Sequence, residues 1–284
     1  MSKDIGFIGA GYMGYGIAKN LIKHNFNLKV IVHKNRKPID KLIALGAKES
    51  FNYDQLVSKI NFLIMCVPNT KIAKKISKEI APKLKKKSLV IDITTHNKYG
   101  SIEVNRIFNN FNIKYIESPV MGGPIQAEAG VLGCIVGGSY KNLKLSKKIL
   151  NSFSKNIYHF GDVGSGAKAK LISNFLALGT TTFVIETIKA AEHLNIDIKK
   201  LYDVAKLGSG NSGALKRIAD KAIKGDYKGY IFSVDNALKD LTYIHEILKD
   251  IPNAAKLSNL SNSFYKEASK NGYGNLLISE LIKK

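Results

Sequence analysis

Tryptophan is absent from this 284-residue chain, cysteine occurs twice and proline six times. Cys66 and Cys134 cannot build a disulfide framework, and no Cys/His spacing suggests a zinc site, so no metal is expected. Arginine is almost as scarce: Arg36, Arg106 and Arg217 stand alone, so 41 of the 44 basic side chains are lysines. Only 22 side chains are acidic, which leaves a formal net charge of +22. Such a surplus can mark a nucleic-acid partner. A reader of bases, however, depends on the arginine fork, and these lysines are spread widely among many Asn and Ile residues. Nucleic acid is therefore not the expected partner. An apolar run of about 18 residues is missing too; the greasiest segment, 171–191, is broken by Asn174, several threonines, Glu186 and Lys189. Residues 1–4 lead straight into an apolar strand pattern without the features of a signal peptide. These absences set the expectation of a soluble, cytoplasmic protein with no membrane partner.

What is present is a hydrophobic fraction of 45 %, with 12 Phe and 13 Tyr, enough for sizeable cores. Short apolar runs at 5–9, 28–32, 62–67, 89–93 and 115–116 read as strands buried on both faces. Between them, amphipathic patterns at 11–24, 36–45, 70–80 and 98–110 read as helices. That alternation predicts a parallel sheet covered on both sides. A strand over 132–136, a helix over 141–152 and a strand over 157–160 follow. Past the glycine-rich stretch at 161–166 the pattern turns wholly helical: 167–194, 198–207, 214–223, 233–249, 253–270 and 275–283. Two domains are expected, 1–163 and 164–284, with a cleft between them. The basic surplus is uneven, +17 over residues 1–161 and +5 over the rest, so an anionic ligand should favour the first half.

Gly9-Ala10-Gly11-Tyr12-Met13-Gly14 matches G-x-G-x-x-G. It follows one of these strands and opens a helix, the context in which such a match carries meaning. The first glycine permits the tight turn, the second lets the backbone approach a pyrophosphate, and the third lets helix and strand pack closely. Gly9, Gly11, Tyr12, Met13 and Gly14 are thus candidate dinucleotide-binding residues of a Rossmann-type, doubly wound α/β domain, followed by an all-α C-terminal domain. About 20 residues further on, where NAD sites carry a carboxylate for the ribose, the chain has His33-Lys34-Asn35-Arg36. Lys34 and Arg36 can neutralise a 2′-phosphate, so NADP(H) is the expected cofactor, with NAD as the alternative. Val67, Pro68 and Thr95 fall at C-terminal ends of expected parallel strands, where ligands bind in open α/β sheets. They are candidates for the nicotinamide end. His96 reads as an ordinary polar loop position.

Four blocks in order carry a resemblance that spans essentially the whole chain. Gly6 to Gly14 with Ala18-Lys19-Asn20-Leu21, then Ser118-Pro119-Val120-Met121-Gly122-Gly123-Pro124, then Gly164-Ser165-Gly166 with Lys170 and Asn174, and finally Phe232, Lys239 and Asp240 resemble the β-hydroxyacid dehydrogenases. That group includes 3-hydroxyisobutyrate dehydrogenase, tartronate semialdehyde reductase and glyoxylate/succinic semialdehyde reductase. The resemblance implies hydride transfer between a nicotinamide cofactor and a small β-hydroxyacid or its semialdehyde. It implies Lys170 as the catalytic lysine, with Asn174 one helical turn away on the same face. It implies that Met121, Gly122 and Gly123 form the substrate-binding loop and that Lys239 closes over substrate and cofactor. An ammonium near the reacting oxygen can both stabilise negative charge and supply a proton. Met121 stands where the family usually has a serine, so one hydroxyl is lost and an adaptable apolar surface gained.

Two other readings stay open from sequence. An imine reductase could use the same scaffold, although such enzymes usually lack the lysine. A catalytically silent NADP-binding interaction protein would fit the charge, although it would have no reason to keep Lys170, Asn174 and Lys239 together. Apolar residues on more than one face of 167–194 lead to the expectation of a homodimer or homotetramer.

Overall fold

The computed structural model describes residues 4–33 and 35–284. By its contacts the chain divides into two compact units, Met1–Lys170 and Leu171–Lys284. The boundary expected at 163/164 lies a little earlier, because the first turns of the helix that follows are bonded to the backbone and side chains of the first unit.

The first unit starts with β1 (Asp4–Ile8), α1 (Tyr12–Lys23), β2 (Asn27–Ile31), α2 (Lys37–Ala44), β3 (Lys48–Ser50) and α3 (Tyr53–Val57). It continues through β4 (Phe62–Met65), α4 (Thr70–Ile80), β5 (Leu89–Asp92), α5 (Gly100–Asn109) and β6 (Lys114–Glu117). The six strands are parallel and lie in the order β3-β2-β1-β4-β5-β6. This is the Rossmann-type doubly wound sheet, with its switch point between β1 and β4. Strand periodicity explains the continuous apolar runs. Phe62 and Ile64 enter one core with Ile5, Phe7 and Ile91, while Leu63 and Met65 enter the other with Ile8 and Val90. Both faces of the central strands are buried, so their positions are mostly apolar.

Next come β7 (Val120–Met121), α6 (Pro124–Ala129), β8 (Leu132–Val136), α7 (Tyr140–Leu150) and β9 (Ser154–His159). They form a second, three-stranded sheet in the order β7-β8-β9, with β7 antiparallel and β9 parallel to β8. Neither this separate sheet nor β3, α3, β7 and α6 was expected from the sequence. All four elements are short, and a two- or three-residue strand has no periodicity to read.

The second unit is helical. α8 (Ser165–His193) runs into it from the first, followed by α9 (Ile198–Ala205), α10 (Gly213–Ala222), α11 (Val234–Leu248) and α12 (Pro252–Ala268). Asp197, Ser212 and Ser233 cap α9, α10 and α11 by accepting backbone N–H groups with their side chains. Leu171, Leu178, Ile185 and Ile188 of α8 pack with Leu215, Ile218, Leu241 and Ile244. By length and composition α8 is apolar enough to cross a membrane; these contacts bury one of its faces in the core of the unit. The helix expected over 275–283 is a 3-10 turn, Ile278–Lys283, preceded by Gly272 at φ +86°.

Candidate active site

The loop from β1 into α1 has the shape its glycines predict. Gly9 sits at φ +98°, and a Cβ there would strike the Cys66 carbonyl; a Cβ on Gly14 would strike the carbonyl of Gly9. Around Gly11 nothing lies within 4 Å of where a Cβ would be, so the backbone is open to a close-approaching group. The start of α1 has no side-chain cap, and its first N–H groups are the kind that meet a phosphate. Tyr12 is exposed and Met13 half-buried at this turn. A dinucleotide pyrophosphate fits this cradle.

At the end of β2, His33 and Asn35 are exposed, and Lys34 lies outside the described residues. Arg36 is less available than its sequence position implies. Its guanidinium donates two bonds of 2.9 Å to Glu49 of β3, and its Nε lies 3.0 Å from Asp40. The two carboxylates raise the guanidinium's pKa, Glu49 most of all, and Arg36 in turn lowers that of Glu49. A 2′-phosphate would have to compete with Glu49 for this side chain.

The strand ends that were expected to meet the nicotinamide are tied together from beneath. The Val67 N–H donates to Thr94 Oγ1 at 3.3 Å, and Asp92 Oδ1 accepts the Thr94 N–H at 3.0 Å. Pro68 is exposed and Thr95 half-buried. His96, read from sequence as a bland loop residue, is instead fully buried. Its Nε2 lies 2.8 Å from Asp92 Oδ2, and its Nδ1 lies 3.2 Å from Thr70 Oγ1. Tyr115 adds its hydroxyl to Asp92 Oδ2 at 3.1 Å. Burial, helped by the nearby Asp92 charge, pushes the phenol of Tyr115 well above its ordinary value, so it acts here as a donor. Burial likewise pushes the thiol of Cys66, just past β4, up to about 12.

Lys170 and the loop after β6 meet. The Lys170 Nζ donates to the Val120 carbonyl at 2.8 Å and lies 3.3 Å from Met121 Sδ, with the residue only 9 % exposed. A lysine among 41 is thus a nearly buried ammonium held against the loop that was singled out for substrate. Gly122, at φ +119°, continues that loop. Gly123 departs from expectation: its N–H is donated to Gln126 Oε1 at 2.9 Å, so a carboxylate would find this donor engaged. Within the helical unit, Asn174 Nδ2 donates to Asp240 Oδ2 at 2.7 Å, and Lys239 pairs with Asp240 Oδ1 at 3.0 Å. The structure therefore joins Lys170 to Met121, and Asn174 to Lys239 through Asp240.

Residues 4–161 match the family model of the NAD binding domain of 6-phosphogluconate dehydrogenase. Residues 164–284 match that of the NAD-binding of NADP-dependent 3-hydroxyisobutyrate dehydrogenase. The chain belongs to the β-hydroxyacid dehydrogenase family. The 2-(hydroxymethyl)glutarate dehydrogenase of Eubacterium barkeri is 25 % identical over 99 % of this chain and 94 % of its own. A solved 3-hydroxyisobutyrate dehydrogenase from Salmonella typhimurium superimposes with a TM-score of 0.90 at 24 % identity, covering 99 % of both chains. An imine reductase from Myxococcus stipitatus in complex with NADP+ shares the fold at a TM-score of 0.66 and 18 % identity, over 99 % of this chain and 100 % of its own. This β-hydroxyacid dehydrogenase is accordingly an oxidoreductase that uses a nicotinamide cofactor.

Three residues in this dehydrogenase have a place in the structure that the sequence offered no reason to assign. Asp92 lay without comment inside the expected strand 89–93, and the one available signal was its spacing of four from His96. Asn20 is buried on α1 and donates to the Ala127 and Glu128 carbonyls at 2.8 and 3.1 Å, capping the end of α6. Glu117 gave no signal at all; its role depends on a helix that starts nearly fifty residues later.

Proposed function

We propose that this dehydrogenase transfers hydride between NADP(H) and a small β-hydroxyacid or its semialdehyde, with Lys170 as proton donor and acceptor. The observation that supports it is the nearly buried Lys170 ammonium against Val120 and Met121. When bound at the Gly9–Gly14 cradle, the cofactor supplies or takes the hydride. Lys170 does the rest at the reacting oxygen. In the reductive direction its N–H stabilises the growing negative charge and then delivers the proton; in the oxidative direction the neutral amine takes the proton back. Removal from bulk water strengthens this interaction. Met121 supplies apolar, polarisable surface beside the ammonium, and Gly122, at φ +119°, turns the backbone there as only glycine readily does. Asn174 and Lys239 enter the same reading as polar groups of the helical unit. A panel of small aldehyde acids, followed by NADPH consumption, tests the activity; a cyclic imine reduced in preference to every acid would move the assignment to imine reduction.

The cofactor preference rests on His33 and Lys34 and on the lack of a carboxylate at the end of β2. Because Arg36 is shared with Glu49 and Asp40, we expect only a modest preference for NADPH in the wild type. Glu49→Gln should release Arg36 and lower the KM for NADPH about tenfold, the worth of one charge-assisted bond, while leaving the NADH value in place. A tenfold advantage for NADH in the wild type would sink the NADP reading.

We further propose that a second copy of the chain covers the outer face of α8. Ile172, Leu176 and Phe183 are exposed there, the last two at 72 % and 67 %, and Gly179 between them has nothing within 4 Å of a would-be Cβ. Spacings of four, three and four place all four residues on one stripe, which a twofold-related helix can mirror. Phe183→Asp should convert the assembly to monomers in sedimentation; an unchanged mass would exclude this face.

A further inference from the structure

Glu117 ends β6 with its side chain completely buried. Its Oε1 accepts three backbone N–H groups, from Gly164 at 2.7 Å, Gly166 at 2.8 Å and Ala167 at 3.2 Å. These amides open α8, where a helix has no partners of its own and its dipole favours an anion. The other oxygen, Oε2, has no hydrogen-bond partner among the described residues. A short surface cap would satisfy a helix start without burying a charge, so capping alone is a poor account of a glutamate in this place.

Its surroundings are built to hold it. Glu117 exchanges backbone bonds with Gly137 at 3.0 and 3.1 Å, and the Ser118 N–H donates to the Asp92 carbonyl at 2.6 Å. Ile135 donates to the Pro119 carbonyl at 2.9 Å, and Val120 pairs with Cys134. A Cβ on Gly137 would collide with Glu117 Oε1, and one on Gly166 would come within 2.8 Å of the Gly137 nitrogen; the recess exists because both are glycine. The segment 117–121 is thus a rigid rail that grips α8 twice. The carboxylate holds its first turn, and the Val120 carbonyl holds Lys170, just beyond Ala167 on the same helix.

We propose that Glu117 is the positioning residue for Lys170. By fixing the first turn of α8 it sets where the lysine side chain begins, so the ammonium reaches Val120 and Met121 in one orientation. The consequence for turnover rests on the catalytic reading of Lys170 above; the consequence for the placement of Lys170 does not.

The test therefore has two arms. In the cofactor-free protein, Glu117→Gln should raise reductive methylation of Lys170 about fivefold relative to Lys168, an exposed neighbour on the same helix, as a held amine becomes mobile. In turnover with the best aldehyde acid of the panel, Glu117→Gln should lower kcat at least about tenfold, as small misplacements of reacting groups do, with the Kd for NADPH held within about twofold. In a Lys170→Ala background the same change should alter the residual rate less than about twofold, because a residue that acts through Lys170 has nothing left to position. Glu117→Asp keeps the charge one methylene short and should fall between wild type and Glu117→Gln. Unchanged labelling of Lys170, an equal loss in the Lys170→Ala background, or failure of both variants to fold would each overturn the proposal. A labelling shift accompanied by full activity of Lys170→Ala would instead sink the catalytic reading and leave the positioning intact.

Discussion

Lys170→Ala should lower turnover by roughly 10²–10⁴-fold, the usual loss when a positioned acid–base group is removed, while the Kd for NADPH should change less than about twofold. The two effects separate because different parts of the first unit carry them. The Gly9–Gly14 cradle is made of backbone and does not involve Lys170. The ammonium, by contrast, is held by Val120 and Met121, where the proposed reading puts the oxygen that receives the proton. Lys170→Arg sharpens the result. A guanidinium keeps the charge but does not give up a proton near neutral pH, so recovery of less than about a tenth of the wild-type rate identifies proton transfer rather than charge as the main contribution. Lys170→Met, which keeps the length of the stem, controls for lost packing. Steady-state turnover with NADPH, alongside a cofactor titration, reads both quantities. Turnover of Lys170→Ala within twofold of wild type would contradict the assignment.

Asp92→Ala is expected to destabilise the first unit by about 3–5 kcal/mol, the range for breaking a buried polar network on one side. Asp92 is completely buried, and its two oxygens serve the Thr94 N–H, the His96 ring and the Tyr115 hydroxyl. Alanine would leave all three without their acceptor, and none can reach bulk water where they sit. Tyr115→Phe removes only one donor and should cost about 1 kcal/mol; Asp92→Asn, which keeps one carbonyl oxygen, should fall between. Urea unfolding at constant slope gives the three values in order. A loss below about 1 kcal/mol for Asp92→Ala would mean that water enters the site and the network is not a structural knot. The same network lies beneath Val67 and Thr95, so the milder Tyr115→Phe variant also reports whether loosening these strand ends raises the KM for cofactor.

Much of the scaffold was legible in the chain itself. The central parallel strands carry mostly apolar residues, and the alternating helices carry their stripes, so the elements that were read between 5 and 110 fall within a few residues of where they were expected. Gly9, Gly11 and Gly14 stood out because strand and helix flank them in sequence. The short pieces could not. Lys48-Glu49-Ser50 has two charges in three residues and becomes a strand only by pairing with β2. Val120 and Met121 become one only against β8.

The candidate site divides along the same line. Lys170, Asn174 and Lys239 stood out through ordered motif blocks, and Asp240 travelled with them. That Arg36 is shared with Glu49, that the Gly123 amide is engaged by Gln126, and that His96 and Glu117 are buried became visible only in three dimensions. Their partners lie from three to fifty residues away, and those of Arg36 and Glu117 come from separate elements. Periodicity and motif spacing report what a stretch of chain does along its own axis. The ownership of a hydrogen bond, and the burial of a charge, depend on which distant backbone arrives beside it, and only packing determines that.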